Sequence, residues 1–202
     1  MAPPLITVAG ATRPHPGETA NGDAWAVEWP QAACRIALID ALGHGPDAAA
    51  VARQALGVLA AHPLLEPVAL LGLCHRALAG TRGVVLSIAT IDPLAATLCF
   101  AGVGNVEARL WQPSKLERPI TYRGIVGRSM PTVRAFRFAL EPGWLLLLHT
   151  DGVSDRFDLT QAPGFPTRAP RTLAEAVLTR WGRPTDDATV VVACATAGPE
   201  GR

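Results

Sequence analysis

The sequence has almost no net charge. Its 18 Lys and Arg against 17 Asp and Glu leave a formal +1 at pH 7. A chain this balanced gives no polyelectrolyte signal, so nucleic acid is not an indicated partner. Charged residues make up only 17% of it, yet 49% is apolar, which argues against disorder. The N-terminus lacks a basic stretch followed by an apolar one, so no signal peptide is expected. No apolar run approaches the length needed to cross a bilayer. The four cysteines, Cys34, Cys74, Cys99 and Cys194, form no CxxC. Their strand-like and helical surroundings read as buried free thiols in a reducing compartment, so the expected location is cytoplasmic. There is no GxSxG, no EF-hand-like acid spacing within one loop, no internal repeat and no linker. The 202 residues therefore predict one domain, 1–202, with chain enough for a sizeable core.

What the chain does have is centred on Ile36 to Ala50. The apolar run Ile36-Ala37-Leu38-Ile39 ends in Asp40. Small residues follow, Ala41, Leu42, Gly43, His44 and Gly45, and Pro46 opens a helical pattern. A buried strand that delivers an acid to its tip, beside a glycine turn and a helix start, is a common way to build a site. A strand-turn-helix whose Asp merely caps the turn fits the same residues. The pattern recurs, however. Leu145 to Thr150 ends in Asp151-Gly152, with Asp155 close behind. Asp186-Asp187 leads into the strand Thr189 to Cys194, and Asn21-Gly22-Asp23 precedes the strand Ala24 to Trp29. Acids at four strand edges, without a His/Cys set, suit hard cations with oxygen ligands, Mg²⁺ or Mn²⁺.

Periodicity and turn signals give the order β-β-α-α-β-β-β-β-β-α-β, with Leu5 to Ala9 a further candidate strand. The helices are expected over Ala48 to Ala61, Glu66 to Ala79 and Thr172 to Trp181, with Gly80 a C-cap. Further strands are expected over Gly83 to Ile91, Thr97 to Val103, Val106 to Trp111, Val133 to Leu140 and Trp144 to Thr150. Gly104-Asn105 reads as a tight turn. Residues 112–131 form the longest loop, carrying Arg118, Arg123 and Arg128. Arg13, His75 and Arg76 read as solvent-facing. Residues 156–170 read as a Pro/Gly-rich loop and Gly198 to Arg202 as a loose tail. Dominant hairpin signals predict an α+β fold of mostly antiparallel sheets covered by helices.

NGD (21–23), LIDALGHGPDAA (38–49), AGVGN (101–105), LLLHTDGVSD (146–155) and DDATVVVA (186–193) together resemble the type 2C metal-dependent protein phosphatases. Within these they resemble the bacterial SpoIIE-like branch, with the layout of its single-domain RsbX-type members. The resemblance runs from about residue 20 to 195. It implies an α-β-β-α sandwich and a phosphoserine/phosphothreonine hydrolase using two Mn²⁺ or Mg²⁺ ions. By resemblance, Asp40 bridges the two ions, and the Ala41 carbonyl and Asp23 serve the second. Asp151 and Asp186 serve the first, Asp155 helps hold a third, weaker ion, and Asp187 supports the site. The implied partner is a phosphorylated regulatory protein of a partner-switching or stressosome-like module, of the STAS-domain or anti-sigma-factor-antagonist type.

The chemistry agrees with the residues. Two divalent ions activate a water and neutralise phosphoryl oxygens, so no side-chain nucleophile is required, and neither GxSxG nor a Cys-based phosphatase loop is present. Two positions depart from the family. Ala41 replaces the usual Gly, which is tolerable where φ is negative. Leu42 replaces the general-acid His of eukaryotic relatives, and His44 either takes over that role or is a loop residue satisfied locally. The eukaryotic phosphate-binding Arg has no match. A non-catalytic phosphoprotein-binding regulator on the same fold, and a structural Ca²⁺ site, are the alternative readings.

Overall fold

The computed structural model describes residues 5–161, 165 and 169–196. Ten strands, three α-helices and one 3₁₀ turn follow in this order: β1 (Leu5–Arg13), β2 (Asp23–Glu28), β3 (Cys34–Ala41), α1 (Gly45–Ala61), α2 (Pro67–Ala77), β4 (Val84–Asp92), β5 (Thr97–Val103), β6 (Glu107–Trp111), β7 (Leu116–Glu117), β8 (Phe136–Ala139), β9 (Leu145–His149), the 3₁₀ turn Leu159–Gln161, α3 (Pro170–Trp181) and β10 (Ala188–Thr196). They form two five-stranded sheets, ordered β1-β10-β9-β6-β7 and β2-β3-β4-β5-β8. Every ladder between named strands is antiparallel.

The layers follow from the two-residue period of a strand. In β3, Ile36 and Leu38 point into the space between the sheets, where they meet Leu146, Leu148, Val191 and Ala193. The intervening Ala37, Ile39 and Ala41 point the other way, onto Ala48, Ala52 and Ala55 of α1 and Leu70, Leu71 and Cys74 of α2. β9 does the same in the second sheet: Leu145 and Leu147 pack on Leu173, Ala174 and Val177 of α3. A strand covered on both faces has no polar side, so these strands read as continuous apolar runs. The result is the expected α-β-β-α sandwich.

Several expectations are corrected. Leu5–Arg13 is a full nine-residue strand on the edge beside β10. α1 starts at Gly45 and α3 at Pro170, each with a Pro in its first turn. β8 is four residues long, and the short β7 falls inside the expected long loop. α2 ends at Ala77 with Leu78 as C-cap, and Gly80, at φ +83°, lies two residues past it. Gly104-Asn105 does not close a hairpin: it carries the chain from β5 in one sheet to β6 in the other. Arg13 donates to the Arg183 carbonyl, and its Nε is buried. His75 Nδ1 accepts from the Gly127 N–H at 3.0 Å, tying α2 to the long loop. All four cysteines are free thiols, three of them buried and Cys194 half-buried. Most of the 156–170 loop's Pro/Gly stretch and the Gly198 to Arg202 tail lie outside the described residues. No described helix is long and apolar enough to cross a membrane.

Candidate metal centre

One end of the sandwich collects the acids. β2 begins at Asp23 and β3 approaches its end at Asp40, and the antiparallel register sets these two residues directly opposite each other. Like charges so placed are unfavourable, so the pairing points to a purpose other than strand stability. In the other sheet, β9 ends at His149, two residues before Asp151, and β10 starts just after Asp186-Asp187. Gly152 lets these two chain segments touch, since a Cβ there would stand 1.8 Å from the Asp187 carbonyl oxygen. Gly22 does the same between the β1–β2 loop and the Asp40 loop, where a Cβ would lie 3.0 Å from the Gly43 carbonyl oxygen.

Hydrogen bonds fix the carboxylates. Asp23 Oδ2 accepts from Thr150 Oγ1 at 2.8 Å, and Thr150 Oγ1 in turn accepts from the Thr189 N–H at 3.0 Å, which links the sheets. Asp23 Oδ1 is buried with no hydrogen-bond partner among the described residues. Asp151 Oδ2 accepts from Asn105 Nδ2 at 2.6 Å. Asp186 Oδ1 accepts from the Asp187 N–H at 2.9 Å. Asp187 is spent on backbone: its oxygens accept from the His15 N–H at 2.7 Å and the Gly22 N–H at 3.0 Å.

These groups perturb one another. Burial, then the charges of Asp23, Asp151, Asp186 and Asp187, push the Asp40 carboxyl up to about 9. Burial also raises Asp23, opposed by its hydrogen bonds and reinforced by Asp187 and Asp151. Asp151 is raised by burial and by Asp186, and held back by Arg183 and Asn105. Several carboxyls, partly desolvated and facing each other, favour a multivalent cation among them.

Asp40, Asp151 and Asp186 line a cleft of about 820 Å³. Leu42, Gly43 and His44 line it too, as do Thr121, Arg123, Gly124 and Ile125. Asp23 does not line it. Ala41 is fully buried among the residues that pack on α1 and α2, and the described non-glycine residues with positive φ are Gln31 and Ala96, so its methyl causes no strain. Asp155 is exposed and does not line the cleft; it lies in a side pocket of about 170 Å³ that shares Asn105, Glu107 and Asp151 with the cleft and also holds His149. The loop carrying it is clamped by buried Arg109, which donates to the Asp155 and Phe157 carbonyls and stacks 3.9 Å over the Phe157 ring.

His44 caps the start of α1 by position. Its Nδ1 lies 2.8 Å from Glu18 Oε1, and its ring stacks on His15 with centroids 4.3 Å apart. Arg82 braces the same loop by donating to the Leu42 carbonyl at 3.1 Å while pairing with Asp47. Sequence reasoning assigned no role to Asn105, Thr150, Glu18 or Arg82. Asn105 and Thr150 lie inside quoted motifs, but Asn105 reads there as a turn residue. Nothing in the spacing of Glu18 or Arg82 marks them, because each acts across 26 or 40 residues of chain.

Among the described residues, no three His, Cys, Asp or Glu side chains stand together as a ready-made ligand set. Mg²⁺-class ions do not need one, since they bind through one or two carboxylates and keep several waters. An all-oxygen donor set, mutual repulsion and the unpartnered Asp23 Oδ1 fit such an ion.

A search of curated proteins gave no match. Among solved structures, the chain is similar to one from a bacterial stressosome described as a modular system adapted to control secondary messenger signalling. The two are 29% identical with a TM-score of 0.88, over 94% of this chain and 100% of that one. It is similar in fold to RsbX in complex with magnesium (18% identical, TM-score 0.83, 95% of this chain and 96% of that). It is also similar in fold to the SpoIIE phosphatase domain with a regulatory fragment from Bacillus subtilis (20%, TM-score 0.79, 94% and 63%). The family model for stage II sporulation protein E matches residues 30–196, and the chain therefore belongs to the SpoIIE family, with the fold of the PP2C-type, metal-dependent protein phosphatases.

Proposed function

We propose that the chain, acting as a single domain in the cytoplasm, hydrolyses phosphoserine or phosphothreonine on a regulatory protein of a partner-switching or stressosome-like module. The observation that carries this reading is the convergence of Asp40, Asp151 and Asp186, with Asp23 behind them, at one end of both sheets. Asp40, Asp151 and Asp186 would hold one Mn²⁺ or Mg²⁺ ion. Asp40, the Ala41 carbonyl and Asp23, acting through water, would hold the second, and Asp155 a third, weaker one. When bound, the ions supply an activated water and neutralise the phosphoryl oxygens.

The protein's own residues do the rest. Thr150 and Asn105 hold Asp23 and Asp151 in place, as outer-shell partners do in metal sites generally. His44, at the cleft wall with Nδ1 engaged by Glu18, donates a proton to the departing serine or threonine oxygen. A STAS-domain or anti-sigma-factor-antagonist protein is the substrate class this reading favours, supported by the stressosome neighbour and by a solved structure of RsbU and RsbW domains to which the chain is similar in fold.

The test is turnover of p-nitrophenyl phosphate and a phosphoserine peptide with Mn²⁺, Mg²⁺ or EDTA, in wild type, Asp40→Asn and Asp151→Asn. Divalent-dependent turnover lost in both variants supports the reading. A folded, Mn²⁺-binding wild type without turnover on any phosphoprotein would favour a non-catalytic regulator.

A further inference from the structure

One segment lining the cleft is braced by backbone hydrogen bonds and carries a cation. Across the end of the sheet the register runs Asp23, Asp40, Val85, and next to Val85 stands Gly104. There the chain leaves for the other sheet, and the segment after β7 takes the open place. Val126 pairs with Val84 through two backbone hydrogen bonds of 3.0 and 2.8 Å. Since Val84 is itself paired with Ala41, Val126 stands two strand spacings, roughly 10 Å, from Ala41. At the other end of the segment, the Tyr122 N–H donates to Gly102 and its carbonyl accepts from Gly104, at 2.9 and 2.8 Å. The Tyr122 ring stacks on Phe136.

Between these two anchors Arg123, Gly124 and Ile125 form a short arch along the cleft. Gly124 sits at φ +158°, where a Cβ would come within 2.6 Å of the Ser129 carbonyl oxygen, so the arch has little room to take another path. Arg123 is exposed, and its guanidinium has no hydrogen bond or ion pair with another described residue. It is the only Lys or Arg among the described residues lining the cleft, which Asp40, Asp151, Asp186 and Glu107 also line.

A cation with no partner among the described residues, held on a braced arch in a cleft that a carboxylate cluster also lines, has the placement of a ligand-binding group. We propose that Arg123 binds the phosphoryl group of the substrate, an inference that rests on the phosphatase reading. The guanidinium fork matches two oxygens of a phosphate monoester. The rest of the cleft, larger than a phosphoryl group requires, takes the chain around the phosphorylated residue.

The experiment uses inorganic phosphate, p-nitrophenyl phosphate and a phosphoserine peptide with the Mn²⁺-loaded protein, in wild type, Arg123→Gln and Arg123→Lys. Calorimetric phosphate affinity and the KM for both substrates are expected to weaken together, about tenfold or more in Arg123→Gln and less in Arg123→Lys. Affinity for Mn²⁺ should stay unchanged. Unchanged phosphate affinity, or a loss confined to the peptide, overturns the proposal, the latter because Arg123 would then read flanking residues. Phosphate binding is measured without turnover, so an inactive wild type sinks the phosphatase reading while the binding arm still decides the role of Arg123.

Discussion

Replacing Asp40 with Asn should abolish turnover and at the same time stabilise the metal-free protein. The carboxyl faces Asp23 across one register pair and feels Asp151 and Asp186, and with burial this pushes it up to about 9 from an ordinary 3.8. The sign follows. A carboxyl whose folded value lies above its unfolded value is favourable at low pH, and that contribution is lost as pH rises through the folded value. At pH 7 about three pH units separate solution from the ordinary value. Keeping Asp40 protonated therefore costs at most about 4 kcal/mol, and about 2 kcal/mol once its partial exposure to water is allowed for. An amide is neutral at every pH and costs about 1 kcal/mol for a misplaced donor. The net gain for metal-free Asp40→Asn is about 1 kcal/mol near pH 7 to 8. That is about 2–4 °C in Tm for a chain of this size, and it vanishes near pH 5. Mn²⁺ should reverse the order, because ligand at 100 times its Kd adds about 2.7 kcal/mol to the wild type alone. Thermal unfolding at pH 5, 7 and 8, in EDTA and in Mn²⁺, measures all of this. A variant that melts below wild type in EDTA at pH 8, or a difference independent of pH, would refute the like-charge argument.

Other consequences concern single contacts. His44→Ala should slow the phosphoserine peptide on the order of 10²-fold while sparing p-nitrophenyl phosphate, whose leaving group needs no proton, and Glu18→Gln should show a weaker version of that contrast in kcat. Asn105→Ala removes the 2.6 Å bond to Asp151 and should weaken Mn²⁺ binding by about 10- to 100-fold in a calorimetric titration, leaving Tm within a few degrees. Gly152→Ala places a methyl 1.8 Å from the Asp187 carbonyl oxygen, and chemical denaturation should show a loss above about 3 kcal/mol or no folded protein.

Much of the sandwich was legible because its strands are buried on both faces. Ile36 to Ile39 and Leu145 to Leu148 are uninterrupted apolar runs for that reason, followed by Asp40 at once and by Asp151 after His149 and Thr150. β1 was harder to delimit. It is an edge strand with Gly, Thr and Arg along it, and local pattern carries only its first five residues. The sheet switch at Gly104-Asn105 was hidden for a different reason: a tight-turn pair signals a reversal without saying which strand the chain meets next. β6 finds β9, some 40 residues downstream, and only that pairing brings Asn105 to Asp151.

The acids themselves could be picked out, but their convergence depends on register. Asp23 meets Asp40 because the β2–β3 hairpin closes over Pro30 and Gln31, and a one-residue slip would turn each carboxylate to the opposite face. Thr150 then ties the hairpin to β10 through Thr189, so the two sheets cannot separate without breaking a buried hydrogen bond on a carboxylate. Asp155 shows the converse. Its spacing from Asp151 looks like part of the same cluster, yet Arg109 holds its backbone to a neighbouring pocket. The resemblance assigned Asp155 to the family's third site, and the side pocket that holds it meets the main cleft at Asn105, Glu107 and Asp151. An ion recruited by Asp155 would find Glu107 and Asp151 as the other carboxylates of that pocket, and sharing Asp151 would make its occupancy dependent on the first ion's. Titrating Mn²⁺ into Asp155→Ala should therefore leave the tight sites intact and remove at most a weak one, and loss of a tight site would show that the two pockets act as one.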